Sequence, residues 1–210
     1  MFEIIAVTDR LRCEGDFMDR IEGIAAAGAS AVILREKDLG PNEYGGLLRE
    51  AARRCARHGA ELIAHGFIDE ALDAGCGRIQ LPMAAFMEGR GLLRPRGGLR
   101  AGVSVHSLNE ALRAVALGAE WLLAGHIFET DSKRGLPPRG LRFLAEICRL
   151  SQAPVYAIGG ISERNIGEVL DAGAAGACLM SPFMAASDPG ALVRGLKASA
   201  RPMRRDGGNR

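Results

Sequence analysis

The chain has 210 residues, 48% of them apolar and 25% charged, with a formal net charge of +2. That length suits one well-buried domain, the composition is that of a globular chain, and the charge is too small for a nucleic-acid footprint. No apolar run reaches the ~20 residues of a spanning helix, so membrane insertion is excluded and, with no leader-like N-terminus, a cytoplasmic protein is expected.

Phe2 to Val7 opens the chain as a strand, and the helical pattern after it, with Ile21, Ile24 and Ala25 on one face, stops at Gly28. Ala31 to Leu34 forms the second strand and leads into a helix expected to include His58. Glu61 to Ala64 and Gly77 to Leu81 are the third and fourth strands, separated by a helix ending in Asp73-Ala74-Gly75. Gly102 to Val105 is the fifth, and the helix after it places Leu108, Ala111, Leu112 and Val115 inward before Gly118. Trp121 to Ala124, Val155 to Ile158 and Gly176 to Met180 complete eight strands, with Asp171-Ala172-Gly173 ending the last crossover helix between them. A glycine just past a helix supplies the left-handed residue that turns the chain into the next strand. This rhythm predicts an α/β fold, a single-domain (β/α)8 TIM barrel over 1–200, with the basic stretch 201–210 as a disordered tail. An open doubly wound sheet is the alternative, but no G-x-G-x-x-G follows the first strand.

In such a barrel, chemistry sits where strands end and loops begin. His65, His106 and His126 directly follow the third, fifth and sixth strands and can face one mouth, or can merely cap strand ends. A zinc site is not expected, because strand one ends in Thr8-Asp9-Arg10 and strand eight in Ser181-Pro182, without the paired histidines or carboxylate of a metal hydrolase. Five cysteines, Cys13, Cys55, Cys76, Cys148 and Cys178, are odd in number and lack Cys-x-x-Cys spacing, which argues for reduced thiols. Gly159-Gly160 after strand seven and Met180-Ser181 at the end of strand eight offer backbone N–H groups to a phosphate, although a tight turn needs glycines too. Arg35 and Lys37 leave strand two, and Lys133 follows Thr130 in the loop after strand six. These cations suit an anionic substrate, or else they pair with Glu36, Glu129 or Asp131 within the rim.

Five stretches taken together resemble the thiamin phosphate synthase/TenI superfamily over nearly the whole chain. They are Val7-Thr8-Asp9, Leu34-Arg35-Glu36-Lys37, Gly102 to Ser107 (Gly-Val-Ser-Val-His-Ser), Gly125 to Lys133 (Gly-His-Ile-Phe-Glu-Thr-Asp-Ser-Lys) and Ala157-Ile158-Gly159-Gly160-Ile161. The resemblance implies a compact (β/α)8 barrel of thiamin biosynthesis acting on a small phosphorylated thiazole. It covers two activities. The synthase pattern joins a pyrimidine pyrophosphate to a thiazole phosphate with magnesium, held by an Asp after strand three and another after strand four. Those two positions are Gly66 and Ala85 here, and the Gln that precedes Leu-Arg-Glu-Lys in that pattern is Ile33.

By contrast, Gly125-His126-Ile127-Phe128-Glu129-Thr130-Asp131, Gln80-Leu81-Pro82 and Ser104-Val105-His106-Ser107 resemble the TenI branch. That resemblance implies a cofactor-free isomerase, a thiazole tautomerase, with His126 moving the proton and no metal. Arg35, Lys37, His65, His106, Thr130, Lys133, Gly159, Gly160, Met180 and Ser181 are then the expected substrate-binding residues. Imidazole is half-protonated near neutral pH and suits proton transfer. The alternatives are thiamin phosphate synthase itself and a non-catalytic, ligand-binding or regulatory barrel. The sequence leaves the oligomeric state open, a homo-oligomer included.

Overall fold

A computed structural model describes residues 2–93 and 98–200; the expected tail at 201–210 lies outside them. Eight strands, β1 (Glu3–Val7), β2 (Ala31–Leu34), β3 (Glu61–His65), β4 (Arg78–Pro82), β5 (Arg100–Val105), β6 (Trp121–Gly125), β7 (Val155–Ile158) and β8 (Gly176–Leu179), run in that order. All neighbours pair in parallel, and β8 closes onto β1 with Glu3 opposite Gly176 and Ala6 opposite Leu179. The fold is therefore the expected single-domain TIM barrel.

Helices α1 (Phe17–Ala26), α2 (Pro41–Ala56), α3 (Ile68–Asp73), α4 (Met83–Leu93), α5 (Leu108–Ala116), α6 (Gly140–Leu150) and α7 (Ile166–Asp171) carry the crossovers, and α8 (Ser181–Ala185) and α9 (Pro189–Ser199) follow β8. Their starts are chemically marked. Asp16, Ser107 and Asp188 each accept the N3 backbone N–H of the helix they open, satisfying a donor that the helix itself cannot. Gly28, Gly75, Gly118 and Gly173 all have positive φ, so the helix stops read from sequence are left-handed caps. His58 lies two residues beyond α2, in the turn that leads to β3. Leu112 is 42% exposed, because α5 buries Ala111 and Ala114 and sets Leu112 at the edge of that face.

The strands read as unbroken apolar runs because both of their faces are covered. One core lies between the strands and the helices and includes Ile4, Val32, Leu48, Ile79 and Leu144. The second fills the barrel interior with Ile5, Ile33, Ile63, Trp121, Tyr156 and Cys178, so the barrel is packed and only its rim is open to ligand. Trp121 reaches this interior because Gly102, paired with it across β5 and β6, has no side chain; a Cβ there would collide with the indole. Burial raises the Cys55, Cys148 and Cys178 thiols above their ordinary range, so these three are protonated, unreactive packing residues.

Candidate active site

The C-terminal strand ends surround a cleft of about 1190 Å³. Arg35, Lys37, His65, His106, His126, Thr130, Lys133, Gly159, Gly160, Met180 and Ser181 all line it. The rule that strand ends carry the chemistry thus brought every expected site residue to one place. Gly66 and Ala85 are not among the lining residues.

The β1 and β2 ends are locked together beneath the rim. Thr8 Oγ1 donates to Glu36 Oε1 at 2.5 Å, the Arg10 backbone N–H donates to Glu36 Oε2 at 3.0 Å, and the Arg35 N–H donates back to Thr8 Oγ1 at 2.9 Å. Glu36 is only 2% exposed, and burial pushes its carboxyl above the ordinary range while the Thr8 and Arg10 hydrogen bonds oppose that rise. Glu36 therefore serves the strand ends and leaves its two neighbours in the chain unpaired. Asp131 is held by Arg134 at 2.9 Å and Asp9 by Arg12 at 3.2 Å. Among the described residues, Arg35, Lys37 and Lys133 make no ion pair, so the rim pairing considered from sequence does not form. Partial burial, then the charges of Arg35 and Lys133, hold the Lys37 ammonium below its ordinary range. The three cations form one electropositive cluster.

Tyr44 of α2 braces the next two strands: its hydroxyl donates to the Leu34 carbonyl at 2.8 Å and accepts the His65 backbone N–H at 2.7 Å. His65 itself is 8% exposed, and burial, followed by the Arg35 and Lys37 charges, lowers its pKa from 6.5 to about 4. It is a neutral imidazole at physiological pH. His106 Nδ1 lies 2.7 Å from the Gly125 carbonyl and His126 Nε2 lies 3.2 Å from the Leu136 carbonyl. Since a carbonyl only accepts, each of these nitrogens carries the proton.

Two polar residues of the cleft, quoted above only within matching stretches, were not among the expected site residues. Gln80 is fully buried and Ser104 sits beside it at the same rim. Trp121 Nε1 donates to Gln80 Oε1 at 2.8 Å, which orients the amide so that Gln80 Nε2 donates to Ser104 Oγ at 3.0 Å. With its oxygen accepting from Gln80, the Ser104 hydroxyl has its proton available for a ligand. A polar residue inside an apolar strand was the available signal.

Gly159 and Gly160 have φ of 101° and 68°, and the β6 loop crosses directly over them. Ile127 N–H bonds the Ile158 carbonyl at 2.9 Å and Phe128 N–H the Gly159 carbonyl at 3.0 Å. A Cβ on Gly159 would collide with Cβ of His126, and one on Gly160 with the Glu129 carbonyl. The pair is thus required by loop contact, and it also leaves bare backbone at the rim: outside the helices and strands, the N–H groups of Gly159, Gly160 and Ser181 donate to no backbone acceptor. Gly159→Ala is expected to cost ~1–3 kcal/mol, from the left-handed backbone and the collision together. Urea unfolding measures this, and an unchanged midpoint would mean that the two loops do not touch.

Residues 4–183 match the thiamine monophosphate synthase family. The chain belongs to that family. A relative from Geobacter sulfurreducens, named provisionally as a thiamine-phosphate synthase, is 38% identical over 98% of this chain and 97% of its own. Thiamine-phosphate synthase of Syntrophomonas wolfei is 30% identical over 93% and 95%. The solved thiamine phosphate pyrophosphorylase of Pyrococcus furiosus superposes with a TM-score of 0.81 at 28% identity, covering 95% of each chain.

These family relatives overturn the expected isomerase. They bear the name of the synthase, a transferase, and none of them is named a tautomerase, so the catalytic proton transfer assigned to His126 is withdrawn with that activity. What stands is an enzyme family of thiamin biosynthesis on phosphorylated small molecules. No helix among the described residues is long and apolar enough to cross a membrane.

The magnesium that the synthase resemblance implies does not fit this family member. Gly66 and Ala85 have no ligand atom in their side chains, and among the described residues no three His, Cys, Asp or Glu side chains gather into a group that could hold a metal. His65, beside Gly66, is a poor ligand for a hard cation.

Proposed function

We propose that this protein is a thiamine-phosphate synthase, which transfers the pyrimidine group of a pyrimidine pyrophosphate to a thiazole phosphate and releases pyrophosphate. The observation that carries the reading is one cleft with two kinds of anion-binding element. The backbone N–H groups at Gly159, Gly160 and Ser181 suit a phosphate monoester. The Arg35, Lys37 and Lys133 cluster suits a more highly charged group, such as a leaving pyrophosphate. Thr130 and Met180 border these two elements, and Ser104 and His106 offer a hydroxyl donor and an imidazole to the organic portion of a substrate.

Anchoring both substrates by their phosphates would hold the reacting atoms together and make the transfer effectively unimolecular. The buried, neutral His65 adds no charge of its own to the floor beside Arg35 and Lys37. The sequence kinship of the Gly125-to-Asp131 stretch supports a TenI-like position within the superfamily, without that branch's isomerase activity. Free cysteines, two of the five buried, support a reducing, cytoplasmic setting.

The test is to incubate purified protein with both substrates and to follow thiamin phosphate and pyrophosphate, once with magnesium and once with excess EDTA. Stoichiometric formation of both products in either condition supports the reading. Binding of both substrates with no product in either condition would overturn it in favour of a ligand-binding barrel.

A further inference from the structure

We propose that this chain binds a pyrophosphate group without a divalent cation, with Arg35, Lys37 and Lys133 supplying the compensating charge in its place. The proposal rests on the transferase reading for the identity of the ligand, and on independent observations for the manner of binding.

The first observation is the donor set. Magnesium is ordinarily held by one or two carboxylates together with waters and substrate phosphates. Of the carboxylates near the rim, Glu36 is consumed by Thr8 and the Arg10 N–H, Asp9 by Arg12 and Asp131 by Arg134. Glu129 also lines the cleft, but it is a single carboxylate and stands in the loop after β6, away from the two positions after β3 and β4 where the synthase pattern has its aspartates. Space is not what excludes a ligand at position 66, since a Cβ on Gly66 would meet nothing within 4 Å. The position simply presents no oxygen.

The second observation is the cation cluster. Arg35, Lys37 and Lys133 line one cleft, Arg35 and Lys133 act on Lys37, and among the described residues none of the three is paired with a carboxylate, an arrangement that raises the free energy of the empty site and that an anion relieves. A carboxylate pair placed to hold a metal beside Arg35 and Lys37 would neutralise these same cations. This chain keeps the cations and lacks the carboxylate pair. Arg35 offers a planar fork that matches two phosphoryl oxygens at once, whereas Lys37 and Lys133 act as point charges that can follow a charge as it shifts onto a departing group. The neutral His65 adds no repulsion toward an anion, and the surrounding positive charge disfavours entry of a free divalent cation.

The experiment is isothermal titration of the whole protein with inorganic pyrophosphate, in excess EDTA and then with magnesium. Pyrophosphate is expected to bind in EDTA, with an affinity that magnesium changes by less than about threefold. Arg35→Gln and Lys37→Met should each weaken this binding by ~10-fold or more, as loss of a charge-assisted hydrogen bond does. Binding seen only with magnesium would overturn the proposal, and so would full binding by both variants. The outcomes separate it from the reading beneath it. Metal-free pyrophosphate binding with no thiamin phosphate formed would sink the transferase and leave this proposal standing, whereas thiamin phosphate formation with pyrophosphate binding seen only with magnesium would do the reverse.

Discussion

Arg35→Gln is expected to lower kcat for thiamin phosphate formation by ~10²–10³-fold, the effect of removing one fixed group that faces charge developing on a leaving group. The loss should fall on kcat more than on KM. In the ground state, the negative charge of the pyrophosphate ester is shared among three cations and water, and the other two cations still hold it. As the carbon–oxygen bond breaks, further charge collects on the departing oxygen, and a pre-oriented guanidinium stabilises that charge without reorganising. The root of the Arg35 side chain is fixed at the strand end, because its backbone N–H is tied to Thr8 Oγ1, which is tied in turn to Glu36. Arg35→Lys keeps the charge and loses the fork, so it should recover part of the activity and not all of it. Steady-state kinetics on the three proteins decides the matter. A raised KM at unchanged kcat for Arg35→Gln would show that Arg35 only gathers substrate and does not act on the transition state.

The barrel was legible in the sequence because its signals are local. A four-to-six-residue apolar strand, a helix face such as Ile21, Ile24 and Ala25, and a stop such as Gly28 can each be read within a short window, and eight repetitions leave little choice of topology. The mouth was legible for the same reason, since the residue after each strand is fixed once the strand is known. The direction of side chains was not. Whether Arg35 and Lys37 pair with Glu36 depends on Thr8, a residue 28 positions away that faces Glu36 only after β1 and β2 are aligned. The Trp121 to Gln80 to Ser104 chain spans three strands and exists because Gly102 leaves the indole room to cross the barrel. Gly159-Gly160 was read as a phosphate loop or a tight turn, while its strictest requirement is the β6 loop lying against it, a contact between segments about thirty residues apart. The activity was misread for a different reason. The departures at Gly66, Ala85 and Ile33 and the match of Gly125 to Asp131 to the other branch were taken to decide the activity, and the relatives over nearly the full chain bear the name of the synthase.

The second large effect is a pH dependence of stability that belongs to His65. Burial and the neighbouring Arg35 and Lys37 charges set its folded pKa at about 4, against 6.5 for an exposed imidazole. As pH falls from ~6.5 toward 4, the unfolded chain takes up a proton at this residue and the folded chain does not. The unfolded state therefore binds more protons across that window, and stability must fall with pH until the folded imidazole also protonates. At ~1.4 kcal/mol for each tenfold in proton affinity, the full window is worth about 3 kcal/mol. Other groups titrate there too, so the informative quantity is the difference between the native protein and His65→Gln, which has no proton to gain. Urea denaturation at intervals from pH 7.5 to 4 should show the native protein losing about 3 kcal/mol relative to the variant, with the loss beginning near pH 6.5. Saturating pyrophosphate should shrink that loss without moving its onset: if the anion binds the folded chain beside His65, its negative charge eases protonation of the folded imidazole, so the loss still begins near pH 6.5 and ends at a higher pH. Parallel stability curves for native protein and His65→Gln would mean that the imidazole is hydrated and titrates normally, and the neutral floor assigned to the cation cluster would go with it.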